Sequence, residues 1–136
     1  MTIDEAIEFT ATNHRGILST RRRDGRPQMS PIAVAPGSPG MVLISTRETA
    51  MKARNVERDP NVSVCAFTND WYGAHVQLDG TATILRLPDA MEPLVEYYRS
   101  IAGEHSDWDE YRAAMERERR VLLQITVTDA GPNAWG

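Results

Sequence analysis

The chain has almost no cysteine: Cys65 is the only one in 136 residues, so it can build neither an intrachain disulfide nor a thiolate zinc cluster. Long apolar runs are missing too. The longest are stretches such as Ile32-Ala33-Val34-Ala35 and Met41-Val42-Leu43-Ile44, far below the roughly 18 residues of a membrane-spanning helix, so a soluble protein without a membrane partner is expected. The three histidines, His14, His75 and His105, form no His-x-x-x-His or His-Glu-x-x-His pattern, and metal catalysis gains no support. No serine sits in a Gly-x-Ser-x-Gly elbow, the usual signature of nucleophilic hydrolysis. A net charge of −4 argues against nucleic-acid binding through a globally positive surface. Lysine is nearly absent. Of the 15 basic residues only Lys52 is a lysine, which makes its position worth finding. The opening Thr2-Ile3-Asp4-Glu5-Ala6 is acidic and polar where a secretory signal is basic and then apolar, and the expected location is cytoplasmic.

What is present is the composition of one folded domain covering residues 1–136. The apolar fraction is 41% before glycine is counted, within the range of globular chains. Thr2-x-x-Glu5 is a capping-box pattern opening a short amphipathic helix. A strand over Ile17 to Thr20 then reaches the hairpin dipeptide Asp24-Gly25 and returns over Gln28 to Ala35, where Pro31 fits an edge, a bulge or a position whose N–H is not needed for pairing. Met41 to Ser45 reads as a third strand. Ser45-x-x-Glu48 is a second capping-box candidate, followed by a helix over Arg47 to Arg58 that Asp59-Pro60 stops. Strands over Val62 to Phe67 and, with strict alternation, His75 to Ile84 follow. Two helices, about Pro88 to Ala102 and Trp108 to Arg119, precede a sixth strand over Val121 to Val127, with a loop from Ala130 onward. Ser106 or Asp107 would cap the second of these helices. Antiparallel strands joined by tight turns predict a mainly β fold, a six-stranded antiparallel barrel with peripheral helices whose closure removes exposed edges.

Ser45 to Asn55 is the most informative stretch. A helix start carries free N–H groups and partial positive charge, and the hydroxyls of Ser45, Thr46 and Thr49 add donors, which suits a phosphate or carboxylate. Lys52 and Asn55 lie three apart, on one helical face, and could extend such a site. The competing reading is a solvated Glu48–Lys52 ion pair at i,i+4. Gln28 and Ser30 share a strand face and could hydrogen-bond a heterocycle, or simply face water. Trp71 and Tyr72, in a loop, could stack on a flat ring or form a corner of the core. Arg21-Arg22-Arg23 beside the hairpin could touch phosphates, although a charged turn flank in an acidic chain is ordinarily solvated.

Taken in order, Asp24-Gly25-Arg26-Pro27-Gln28-Met29-Ser30, Lys52-Ala53-Arg54-Asn55 ending at Arg58-Asp59-Pro60, and Tyr98 to Arg112 closing with Arg119-Arg120-Val121-Leu122-Leu123 resemble the flavin and deazaflavin oxidoreductases of the split β-barrel superfamily. These are relatives of pyridoxamine 5′-phosphate oxidase, and the resemblance is to the actinobacterial branch that uses coenzyme F420. It runs from Gly16 to about Val127. It implies an FMN-binding split-barrel fold, a homodimer with the cofactor in a groove at the interface, and an F420H2-dependent reductase acting on an unsaturated small molecule. By position it implies that Lys52 reaches the cofactor phosphate with Ser45, Thr46 and Asn55 around it. Gln28 and Ser30 would line the deazaflavin or its ribityl chain, and Trp71, Tyr72 and Gly73 would border it. Arg47 and Arg54 become candidate partners for the phosphate or the anionic glutamyl tail. No catalytic side chain is singled out, because the hydride chemistry belongs to the cofactor. The alternatives are an FMN-dependent oxidase or flavin reductase of the same fold, and a non-catalytic F420 carrier.

Overall fold

Alternation along the strands decides which side chains face inward. In a computed structural model of the chain, which describes residues 1–70 and 72–132, helix α1 (Ile3–Phe9) is followed by strands β1 (Arg15–Arg21), β2 (Pro27–Ala33), β3 (Ala35–Pro36) and β4 (Met41–Arg47). Helix α2 (Met51–Arg58), strands β5 (Asn61–Phe67) and β6 (His75–Leu85), helices α3 (Met91–Ala102) and α4 (Trp108–Arg117) and strand β7 (Arg120–Gly131) complete the order. One antiparallel sheet runs β2-β1-β5-β6-β7-β4-β3. Its two terminal strands, β2 and β3, are consecutive in the chain and separated only by Val34, so the sheet has to curl until its ends meet. The result is the expected β-barrel with helices outside it. Inside lie Leu18, Val42, Ile44, Val64, Leu78, Leu123 and Ile125, buried in one cluster, each contributing about 1.5–3 kcal/mol by leaving water. Leu43 and Leu122 point the other way and pack against α3 and α4 in a second cluster with Leu94, Val95, Tyr111 and Met115. The rings of Tyr98 and Tyr111 meet at 5.1 Å, and His105 and Trp108 complete the seam between these two helices.

Several expectations hold in detail. Gly25, at φ 88°, makes the β1–β2 turn in a conformation that suits glycine. Pro31 sits on β2, a terminal strand that pairs on one side only. The Asp107 side chain caps α4 by accepting from the Glu110 N–H at 3.2 Å. Other expectations need correction. The described residues form seven strands, because Val34 interrupts the pairing and Ala35–Pro36 forms a two-residue strand of its own against β4. The last strand continues past Val127 to Gly131, opposite Gln77, after a bulge at Asp79/Gly80. A Cβ on Gly80 would lie 2.1 Å from the Thr126 carbonyl oxygen, so only glycine allows the backbones this close. The helix expected from Arg47 begins at Met51, and Ser45, Thr46 and Arg47 are strand residues paired with Leu122, Val121 and Arg120.

The barrel also keeps an opening. β3 reaches β4 only at Leu43 and Val42, so from Ile44 to Arg47 that edge of β4 is unpaired, and so is the outer edge of β2 along its whole length. The two edges diverge from Val34 and leave a split in the wall, where full closure had been expected to remove them.

Candidate functional site

The split ends at α2, which closes that end of the barrel. Asn55, only 1% exposed, donates to the Thr20 hydroxyl at 3.1 Å and to Gln28 Oε1 at 2.9 Å, and its own oxygen accepts from Arg58 at 2.9 Å. Arg58 also donates to the Arg21 carbonyl at 2.6 Å. Both amide protons of Asn55 are therefore engaged within the chain, and the network fixes α2 against β1 and β2. Thr20 belongs to this arrangement although no sequence motif marks it, and Arg58, part of the motif ending at Arg58-Asp59-Pro60, is given no role by that motif. Thr20 reads as one more strand residue, and only the register that sets it opposite Gln28 gives it a role.

Two positions farther along the same face of β2, Ser30 has a buried hydroxyl oxygen with no hydrogen-bond partner among the described residues. A buried orphan of this kind costs about 1–3 kcal/mol unless something satisfies it. On the opposite lip, Thr46 is 3% exposed and alternates with Ser45, which lines a cleft with Ala33, Tyr97, Tyr98 and His105 on the α3 side. Arg47 is exposed and reaches Glu118 at 3.4 Å.

The Glu48–Lys52 ion pair does not form. Glu48 instead binds Arg119 at 2.8 Å and Arg86 at 3.7 Å, and its N–H donates to the Arg119 carbonyl at 2.9 Å. Lys52 is half-buried in the first turn of α2 and has no ion pair among the described residues. The helix itself starts at an extended Ala50 with no side-chain cap, which leaves its first N–H groups for solvent or a ligand. Along α2 runs a groove of about 1000 Å³ whose charged lining is Arg22, Arg23, Arg54 and Arg58 with Asp24 and Glu57. Arg23 and Arg54 are unpaired among the described residues, whereas Asp24 is held by Arg26 at 2.6 Å, which lowers its carboxyl pKa. The groove therefore presents net positive charge beside an open helix start.

Not all of the expected site comes together in one chain. Gly73 lies in the turn between β5 and β6, donating to the Asp70 carbonyl at 3.0 Å, and Tyr72 beside it is 95% exposed. Phe67, before this turn, pairs with Arg15 at the end of β1 opposite to Thr20, five residues or about 17 Å away along the strand. Trp71 lies outside the described residues. Gln28, Ser30, Ser45, Thr46, Arg47, Lys52 and Asn55 thus border the split and its α2 end, while Tyr72 and Gly73 stand at the far end of the barrel. Among the described residues no group of three or more His, Cys, Asp or Glu could hold a metal, and no helix is long and apolar enough to cross a membrane.

The donor set fits a phosphate-bearing flavin or deazaflavin. Among the described residues it offers an uncapped helix start, an unpaired lysine, an unsatisfied buried hydroxyl and no free carboxylate at the lip. Comparison with known proteins gives the family and the fold. A family model described as pyridoxamine 5′-phosphate oxidase matches residues 2–132. The crystal structure of a conserved hypothetical protein, Rv2991 from Mycobacterium tuberculosis, is 26% identical with a TM-score of 0.78, over 96% of this chain and 82% of that one. An F420 reductase is 19% identical with a TM-score of 0.70, over 94% of both chains. General stress protein 26 from Bacillus anthracis is 18% identical with a TM-score of 0.66, over 96% of this chain and 92% of that one. The last two are distant enough to speak for the fold alone.

Proposed function

Because the chain belongs to the pyridoxamine 5′-phosphate oxidase family, a family of flavin-related oxidoreductases, we propose that it is an F420H2-dependent reductase of an unsaturated or conjugated small molecule. When bound, reduced F420 would supply a hydride from C5 of its deazaflavin ring. The observation that carries the reading is Lys52, left without a counter-ion among the described residues on the uncapped first turn of α2 because Glu48 is bound to Arg86 and Arg119. Lys52 and the first N–H groups of α2 would hold the phosphate, with Ser45, Thr46 and Arg47 beside them. Ser30 and Gln28 would face the ring or its ribityl chain, the Ser30 hydroxyl gaining the partner it lacks. Asn55 holds Gln28 in place. The unpaired Arg23 and Arg54 favour a ligand with further negative charge beyond the phosphate, as the glutamyl tail of F420 has. The far position of Tyr72 and Gly73 supports a homodimer in which Trp71, Tyr72 and Gly73 of the second copy border the cofactor. The chain's own part is to bind, orient and keep water out, and no residue of the split is assigned a proton transfer. The family match favours FMN as the second reading.

Titration of the purified protein with F420 and, separately, with FMN, followed by tryptophan quenching, tests both readings. F420 binding that weakens about tenfold in Lys52→Ala, the size of one charge-assisted contact, supports the proposal. Tight FMN binding with no response to F420 overturns it in favour of the flavin reading. Tight F420 binding without hydride transfer to any of a panel of quinones and enones would make the protein a carrier.

A further inference from the structure

The hairpin from β2 through β3 to β4 stops pairing part-way, and one side chain stands where it stops. Gly37 donates to the Met41 carbonyl at 2.9 Å and Ala35 pairs with Leu43. Bonded pairs in an antiparallel hairpin recur at every second residue, so the next rung in this register joins Ala33 to Ser45. The ladder does not include it. Instead Tyr97, from the middle of α3, donates its hydroxyl to the Ala33 carbonyl at 2.8 Å, and Ser45 lines the same cleft as Tyr97 and Ala33. Beyond this point β2 pairs only with β1, and β4 only with β7. The split opens at the rung the phenol occupies.

We propose that Tyr97 is the positioning residue of the split: its hydroxyl spans the missing rung between Ala33 and Ser45, holds β2 and β4 apart, and sets Ser45 and Thr46 where the cofactor meets them. Only the last clause rests on the function proposed above. The physical reason is that half-buried backbone groups need partners. Without the hydroxyl, the Ala33 carbonyl and the Ser45 N–H lose their common partner and must take water. α3 is anchored for the task, since the Tyr97 ring packs in the cluster of Leu94, Val95 and Tyr111, which fixes how far the hydroxyl reaches. Burial raises the pKa of the phenol, against the opposing influence of the Ser45 backbone and Arg120, so it remains a donor through neutral pH.

Tyr97→Phe keeps the ring and removes the rung. Backbone amide exchange by NMR on the cofactor-free protein should show the Ser45 N–H exchanging about tenfold faster, the sign of a lost partner, and F420 affinity should fall about fivefold, the size of one hydrogen bond. Tyr111→Phe is the control. It removes an equal bond, from the Tyr111 hydroxyl to the Leu94 carbonyl at 2.8 Å, from the same helix pair, and should leave both readouts unmoved. Unchanged or slower Ser45 exchange in Tyr97→Phe overturns the rung, whatever the cofactor does. Faster exchange with undiminished F420 binding, or with the same changes in Tyr111→Phe, overturns the positioning role. If the wild type binds neither F420 nor FMN, the functional reading fails, and Ser45 exchange still decides the rung.

Discussion

Two stretches carry the same local pattern, a hydroxyl residue with glutamate three positions on, and the fold treats them in opposite ways. At Thr2–Glu5 the helix forms where the pattern places it, with the Glu5 N–H donating to the Thr2 hydroxyl at 3.1 Å. At Ser45–Glu48 it does not. There the strand continues through Arg47 because each further residue is paired with β7, and the continued ladder with buried Ile44 and Thr46 outweighs one capping bond worth about 1 kcal/mol. Glu48 is drawn to Arg119 and Arg86, and α2 starts later, at an alanine that caps nothing. A capping box fixes a helix start only where no tertiary pairing competes for its residues. The two helix starts therefore differ: α1 is closed at its start, whereas α2 is anchored through Asn55 in its middle and open at its start, next to Lys52.

The strongest way to break this contrast is to release the anchor. Asn55→Ala leaves the Thr20 hydroxyl, Gln28 and Arg58 without their buried partner, and should destabilise the protein by about 2–4 kcal/mol, read from urea unfolding. Amide exchange should speed up along α2 and stay unchanged along α1. The two boxes themselves come next. Thr2→Ala should cost about 1 kcal/mol, while Ser45→Ala, which caps no helix, should cost less than about 0.5 kcal/mol and lower F420 affinity instead. An equal stability cost at both sites would erase the distinction between them.

How far the sequence reveals all this follows from the range of each interaction. Pro31 restricts its strand to an edge, a bulge or a position whose N–H is not needed, because it lacks an N–H, Asp24-Gly25 announces its turn, and the alternation from His75 to Ile84 announces β6, all by local means. The scarcity of lysine is enough to single out Lys52. Its freedom is not legible, since that depends on Arg119 capturing Glu48 from 71 residues away. The continuation of β7 through Asp129, Ala130 and Gly131 is hidden for the same reason: the segment has no apolar alternation and is a strand only because Asp79, Leu78 and Gln77 lie opposite. Tyr97 and Tyr98 are neighbours on one helix, and nothing in the chain tells which of them meets Ala33. Ser30 reads as a polar strand residue, and that its oxygen is left without a partner emerges only once β1 and β2 are packed.

The finest test supplies the cap that α2 lacks. Ala50 already has the extended backbone of an N-cap, φ −67° and ψ 147°, so Ala50→Asp needs no rearrangement, and its carboxylate can accept from the first N–H groups of the helix. Stability should rise by about 0.5–1 kcal/mol, seen as a higher melting temperature. Binding should move the other way. The same carboxylate occupies the donors offered to a phosphate and sets a negative charge near Lys52, so F420 or FMN affinity should drop about tenfold. Ala50→Ser supplies the cap without the charge and should gain stability with a smaller loss of affinity. Stability and affinity rising together in both variants would mean that the anion lies elsewhere, and the open start of α2 would then be only a by-product of β4 running three residues past Ile44.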